Sequence, residues 1–229
     1  MDFSDILASS IHDIKNSLGL ILNDLDDLIT NPDNRLANPR QAILLQHEAQ
    51  RANCNLIQLL NLYRLGNRQL VARIAEYHLD DFLQETIAES QAICQALGID
   101  LSYDCDPDLT GYFDAELIHG VLDSTIGNAR RYTHRKILLS AVEQDGYLVI
   151  RVEDDGPGFP GKLPQWLPDE DESARNNEEA PATDRSRTRL GLYFAARVAQ
   201  LHRNAERTGR ICLQNGHTLK GSCFEMWLP

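Results

Sequence analysis

A chain of 229 residues suits one large domain or two small ones, and its 42% hydrophobic and 24% charged content is that of an ordinary soluble globular protein. The formal net charge of -12 argues against nucleic-acid binding, which needs a basic footprint, and suits a partner that presents a basic face. Five cysteines (Cys54, Cys94, Cys105, Cys212, Cys223) lack any Cys-x-x-Cys or metal-ligand spacing; with no signal-peptide pattern and no apolar run of membrane-span length, they read as free thiols in a reducing cytoplasm.

Near the start, Leu7, Ile11, Ile14, Leu18, Ile21, Leu25 and Leu28 recur in alternating steps of four and three. That is the seam of a helix built to pack on other helices. His12 stands one position off the seam, so its ring is expected at the solvent-facing flank of a bundle, with Asp13 beside it and Asn16 one turn on. An exposed histidine beside an acid is often a merely solvated residue; on a rigid helix it is also placed to accept or pass on a group. Thr30-Asn31-Pro32-Asp33-Asn34 and Asn38-Pro39 end this helix. A second helix follows, with Leu45, Ala49, Ala52, Leu56, Leu59 and Tyr63 at the same spacing and Gly66 at its end. The two make an antiparallel hairpin whose apolar seam is too wide to cover alone, so a homodimer forming a four-helix bundle is predicted.

From about Leu70 the pattern changes. A helix runs to Leu97 and stops at Gly98, Ile99 to Tyr103 alternates as a strand, and Asp114 to Tyr132 reads as a further helix. Lys136 to Val142 and Tyr147 to Val152 alternate as strands around a Gln144-Asp145-Gly146 hairpin turn. The polar stretch from Pro168 to Arg187 reads as a solvated loop, followed by a helix from about Leu190 to Leu201 and strand-like runs at Ile211 to Leu213 and Cys223 to Trp227. The predicted class is α+β: a helical hairpin over residues 1–67, then an α/β sandwich over 68–229 with an acidic lid at about 161–187.

Four segments in order carry a family resemblance. His12-Asp13-Ile14-Lys15-Asn16 resembles the H-box of sensor histidine kinases, and Asn128-Ala129-Arg130-Arg131-Tyr132-Thr133 the N-box of their ATP-binding domain. Asp154-Asp155-Gly156-Pro157-Gly158-Phe159 resembles the G1 box, and Leu190-Gly191-Leu192-Tyr193-Phe194-Ala195 the second half of the G2 box. Leu59 to Leu65 is similar to the family's hairpin exit, and Asp114 matches an acid that commonly opens the N-box helix. Together they span essentially the whole chain.

The resemblance implies a sandwich of the histidine kinase ATPase type, with ATP and Mg²⁺ as cofactors. It makes His12 the phosphoacceptor, Asp13 its hydrogen-bonding partner, and Asn16 a holder of water for the reverse hydrolysis. It gives Asn128 an Mg²⁺-ligand role, Asp154 the hydrogen bond to the adenine amino group, and Gly156 and Gly158 the close approach of backbone to nucleotide. Arg131, Tyr132, Gly191 and Leu192 fall at positions lining the same site. Such chemistry needs a positioned nucleophile, a bridging metal and charge neutralisation.

Two departures stand out. Where the family reads G-x-G-L-G-L, this chain has Arg187-Thr188-Arg189-Leu190-Gly191-Leu192, and Ser124 replaces the first asparagine of the N-box. The two arginines either intrude where backbone amides approach phosphate or bind phosphate through their own guanidinium forks. The lid acids Asp169, Glu170, Asp171, Glu172, Glu178 and Glu179 would repel ATP if they closed over it. Two functions stay open. One is a cytoplasmic histidine kinase, with phosphatase action as a second capacity, that hands phosphate from His12 to a response regulator receiver domain. The alternative is a non-ATP-binding phosphotransfer or docking protein with a kinase-shaped second domain. Because the sequence opens only a few residues before the His12 helix, the expectation is that a separate sensor or input protein supplies the signal, or that the input domain lies outside this chain.

Overall fold

A computed structural model of the chain describes residues 3–31, 33–34, 36–66, 70–160 and 182–229. Its contacts divide it into two units, Met1–Leu70 and Val71–Pro229. The first is a hairpin of α1 (Phe3–Thr30) and α2 (Pro39–Gly66), which pack along one another. Asn38 starts α2 by accepting the Gln41 amide on its side-chain oxygen at 3.2 Å, and Pro39 takes the first helical position, where a missing N–H goes unmissed. Gln46 on α2 donates to Asp26 on α1 at 3.1 Å. The apolar seam divides in two. Ile11 is buried and Leu18 and Leu25 are half-buried, whereas Ile14, Ile21 and Leu28, seven residues apart on one line, each remain nearly half exposed.

The second unit runs β1 (Ala75–His78), α3 (Leu79–Leu97), β2 (Asp100–Cys105), β3 (Thr110–Phe113), α4 (Ala115–Tyr132), β4 (Lys136–Gln144), β5 (Tyr147–Asp154), α5 (Ala182–Leu201), β6 (Arg203–Asn204), β7 (Arg207–Thr208), β8 (Arg210–Asn215) and β9 (Ser222–Leu228). Five strands form one sheet in the order β2-β4-β5-β9-β8, with β2 parallel to β4 and the other neighbours antiparallel. Asp145 and Gly146, both at positive φ, make the tight turn between β4 and β5. The helices pack on the sheet and on each other, α4 lying between α3 and α5. The class is α+β with an α/β sandwich, as the sequence predicts.

Register assigns each strand residue to a face. Ile137, Leu139 and Ala141 of β4 pair with Asp154, Val152 and Ile150 of β5, which in turn align with Phe224 and Met226 of β9 and with Ile211 and Leu213 of β8. Apart from Asp154 this row is apolar and buried, and it forms the core with Phe113, Ile118, Leu122 and Ile126. The opposite face carries Arg151, Glu153, Cys223 and Glu225, all buried as well. Arg151 donates to Glu225 at 2.7 Å and to Gln144 at 2.8 Å, and Trp227 donates to Glu225 at 3.0 Å, so each member of this buried pair has a further hydrogen-bond partner. The five cysteines are free; burial pushes the Cys223 thiol up to about 12. Among the described residues no helix is long and apolar enough to cross a membrane.

Asp114 ties the two ends of this unit together. Its side chain caps α4 by accepting the Leu117 amide at 3.0 Å and also accepts the Arg73 amide at 2.7 Å. Its own N–H donates to Nε2 of buried His202 at 3.0 Å, while Nδ1 of that ring lies 2.9 Å from the Val198 carbonyl. An Nε2 that accepts leaves the hydrogen on Nδ1, so the ring is neutral. Burial lowers the His202 pKa, against the Val198 hydrogen bond and the Asp114 charge, which raise it. The unfolded chain therefore binds a proton more readily: the contribution is complete above the unfolded value of 6.5 and is lost as pH falls through the lower folded value. Wild type is expected to lose stability relative to His202→Gln between neutral and mildly acidic pH; parallel urea midpoints at both pH values would contradict this.

Candidate functional site

Glu153, Asp154 and Asp155 are consecutive; the first two grip the turn between β8 and β9 from opposite faces of the sheet, and the third grips the loop after α4. Strand alternation sends Glu153 to the outer face, where its Oε2 accepts the amides of Thr218 at 2.7 Å and Leu219 at 3.0 Å and its Oε1 meets Nδ1 of His217 at 3.0 Å. Asp154, buried on the helix-facing side, accepts the Gly156 amide at 2.7 Å and the Ser222 amide at 3.4 Å on Oδ1, and the Ser222 hydroxyl on Oδ2. Asp155 leaves the strand and gathers the loop after α4 onto one oxygen: the Thr133 hydroxyl at 2.6 Å and the amides of His134, Arg135 and Lys136 at 2.9, 2.9 and 3.0 Å. Burial works against ionisation of Asp155, but these four donors outweigh it and hold the carboxyl well below the usual carboxylate range.

The glycines explain how tightly this corner is built. A Cβ at Gly156 would overlap the Tyr132 carbonyl oxygen at the end of α4, and one at Gly221 would overlap Asp154. Gly158 sits at a φ of 80°, and a Cβ there would lie 2.8 Å from Oδ1 of Asn215. Asn215 itself clamps the chain beyond, accepting the Phe159 amide at 2.8 Å and donating to the Phe159 carbonyl at 3.0 Å. A carboxylate offers about four lone-pair positions, and Asp154 has three filled, so it keeps capacity for one further donor.

Asn128 lies half-buried on α4 one turn beyond Ser124. A Cβ on Gly191 would stand 3.0 Å from the Ser124 hydroxyl and 4.0 Å from the Asn128 amide nitrogen. Thus Gly191 lets α5 approach α4 at the two positions where the N-box begins and ends its polar pair. Arg131 and Tyr132 are exposed in the last turn of α4, and Leu192 is half-buried. Asp154, Gly156 and Tyr132 are therefore brought together directly, and Asn128, Ser124 and Gly191 form a second group on the same α4. Asp13 and Asn16 are exposed on α1, in the hairpin unit; His12 stands in the same helix, and its side chain lies outside the described residues.

The structure corrects the stretch before Gly191. The sequence pattern starts a helix near Leu190, but α5 begins at Ala182 and carries Arg187, Thr188 and Arg189 within it. Two arginines in place of glycines remove the helix breakers and supply better helix formers, worth up to about 1 kcal/mol at each position. The side chains of Arg187 and Arg189, residues 161–181 of the expected lid, and hence Asp169 to Glu179 lie outside the described residues. Gly221, Ser222 and Asn215 surround Asp154, Gly156 and Gly158 in the candidate site although sequence patterning does not single them out, and Asp155, quoted only as part of a motif, anchors the loop after α4. The available signal was the Gly221-Ser222 pair set against the last alternating run.

Residues 113–229 match the family model described as histidine kinase-, DNA gyrase B-, and HSP90-like ATPase. The sensor histidine kinase CpxA of Escherichia coli is 28% identical over 191 residues, which are 81% of this chain and 38% of CpxA. The sensor-like histidine kinase SenX3 of Mycobacterium tuberculosis is 24% identical over 233 residues, 98% of this chain and 53% of SenX3. The chain thus spans about two fifths to one half of the length of these relatives. Among solved structures, full-length ShkA in complex with AMPPNP superposes with a TM-score of 0.60 at 22% identity, over 97% of this chain and 44% of that one, which is a likeness of fold.

Proposed function

This chain belongs to the histidine kinase-, DNA gyrase B-, and HSP90-like ATPase family, with sensor histidine kinases as its relatives, and from that premise we propose that it is a two-component histidine kinase of the cytoplasm. The observation that carries the reading is the buried Asp154 carboxylate, fixed by Gly156 and Ser222 within the matched region and still able to accept one more hydrogen bond. An adenine amino group is a fitting donor for that position. The side-chain amide of Asn128, half-buried on α4, offers a hard oxygen of the kind Mg²⁺ takes. When bound, ATP supplies the phosphoryl group and Mg²⁺ neutralises charge on its phosphates.

His12 supplies the nucleophile: one ring nitrogen attacks the γ-phosphorus as the bond to the ADP oxygen breaks, and Asp13 accepts the hydrogen bond of the other nitrogen, stabilising the cation. A receiver-domain aspartate then takes the group from His12, and Asn16, one turn on along the same helix, holds water for the reverse, phosphatase reaction. A separate sensor or input protein would set the balance between the two. The exposed line of Ile14, Ile21 and Leu28 supports a homodimer, since a second hairpin is the apolar surface that matches it. Light scattering should return twice the mass of the 25.8 kDa chain; a monomer mass across the micromolar range would refute this.

A relay protein that carries phosphate on His12 without using ATP has one observation on its side, the unbroken helix through Arg187 and Arg189. Calorimetric titration with Mg²⁺-ATP separates the two: the kinase reading requires heat of binding, and silence at millimolar nucleotide leaves the relay.

A further inference from the structure

We propose that Glu153, His217 and Cys223 form a binding site for a transition-metal dication of the zinc class, on the sheet face opposite Asp154. Glu153 and Cys223 are register partners on β5 and β9, so their side chains leave the sheet side by side. The turn between β8 and β9 lays His217 over them, and one ligand atom from each of the three residues lies within 4.8 Å of the others. Nδ1 of His217 is already 3.0 Å from Oε1 of Glu153. Bonds of about 2.0–2.3 Å to oxygen, nitrogen and sulfur ask for somewhat shorter separations than that upper bound. His217 is exposed and can close the difference by moving a short way.

The donor set selects the metal. A thiolate, an imidazole and a carboxylate make a borderline-soft trio that suits zinc and disfavours Mg²⁺ or Ca²⁺, and three protein ligands leave a fourth position for water. The charges also balance, two anions against one dication. Glu153 is wholly buried, and the amides of Thr218 and Leu219 hold its Oε2, which orients Oε1 toward His217 in the manner of an outer shell. On binding, the S–H bond of Cys223 breaks as the metal–sulfur bond forms, and its proton passes to solvent; the remaining ring hydrogen of His217 sits on Nε2, and no electron moves. The same turn supplies Gly221 and Ser222 to Asp154, so an ion here fastens from the outer face the segment that holds the candidate nucleotide site on the inner one.

The test is a Co²⁺ titration of the full chain after chelator treatment, followed by Zn²⁺ competition. The expected result is a thiolate-to-cobalt absorption band that Zn²⁺ abolishes, with about one proton released per ion. Cys223→Ser should remove the band. His217→Ala, a change at an exposed side chain that leaves the core intact, should weaken binding by at least the ~10–100-fold typical of losing even an outer-shell partner. A Zn²⁺-dependent rise in melting temperature should vanish in His217→Ala. No band at micromolar metal, a band that survives Cys223→Ser, or unchanged affinity in His217→Ala would each overturn the proposal. Because none of these readouts involves nucleotide, their failure leaves the kinase reading standing.

Discussion

Asp154→Asn is expected to weaken Mg²⁺-ATP binding about ten- to hundredfold while costing little stability. The asparagine oxygen can keep the Gly156 and Ser222 amides, and the Ser222 hydroxyl can turn to accept from the new amide nitrogen. What is lost is the last free acceptor position, which becomes a donor facing a donor. A hydrogen bond to a charged group contributes about 1.5–3 kcal/mol, which sets the range. Asp154→Ala differs in kind, since it leaves three half-buried donors of Gly156 and Ser222 without their acceptor, up to about 1–3 kcal/mol each, and should destabilise the fold as well. Calorimetry with urea unfolding on both variants separates the effects. Equal nucleotide affinity in wild type and Asp154→Asn would remove Asp154 from the site.

Gly156→Ala is expected to damage both stability and nucleotide affinity, and more than Gly158→Ala does. At position 156 the new methyl meets the Tyr132 carbonyl, which is backbone at the end of α4 and cannot step aside without moving the helix. Overpacking of this sort costs about 1–3 kcal/mol, and any relief displaces the corner that carries Asp154. At position 158 the strain is the left-handed φ of 80°, worth about 1–2 kcal/mol, and the crowding neighbour is the movable Asn215 side chain. The order of the two variants in both assays is the prediction; Gly158→Ala proving the more harmful to nucleotide binding would contradict it.

Much of the architecture was legible because its signals are local. The seven-residue spacing of α1, Asn38-Pro39 at the start of α2, Asp114 before α4 and Asp145-Gly146 between β4 and β5 each act on residues a few positions away. Strands β1 and β3 were not, being four residues each, with every residue of β1 exposed and so no alternation to read. The start of α5 differs from the pattern because a polar run reads as loop, yet residues 182–189 contain no glycine or proline to break a helix. The site was half legible. Asp154, Gly156 and Asn128 stand in recognisable motifs, but Glu153 and Asp154 hold segments 65 to 68 residues further along, contacts that only the register of β5, β8 and β9 creates. The proximity of Glu153, His217 and Cys223 arises the same way, which is why no spacing in the sequence announces it.

The central claim is that His12 receives phosphate from ATP bound by this protein, in the same protomer or in its partner. Incubating the purified protein with γ-labelled ATP and Mg²⁺, beside His12→Gln, tests it most directly. The account predicts label on the wild type, released by acid as expected of a nitrogen–phosphorus bond, and none on His12→Gln despite unchanged nucleotide binding. Label that persists on His12→Gln, or a wild type that binds Mg²⁺-ATP yet never becomes labelled, would contradict it.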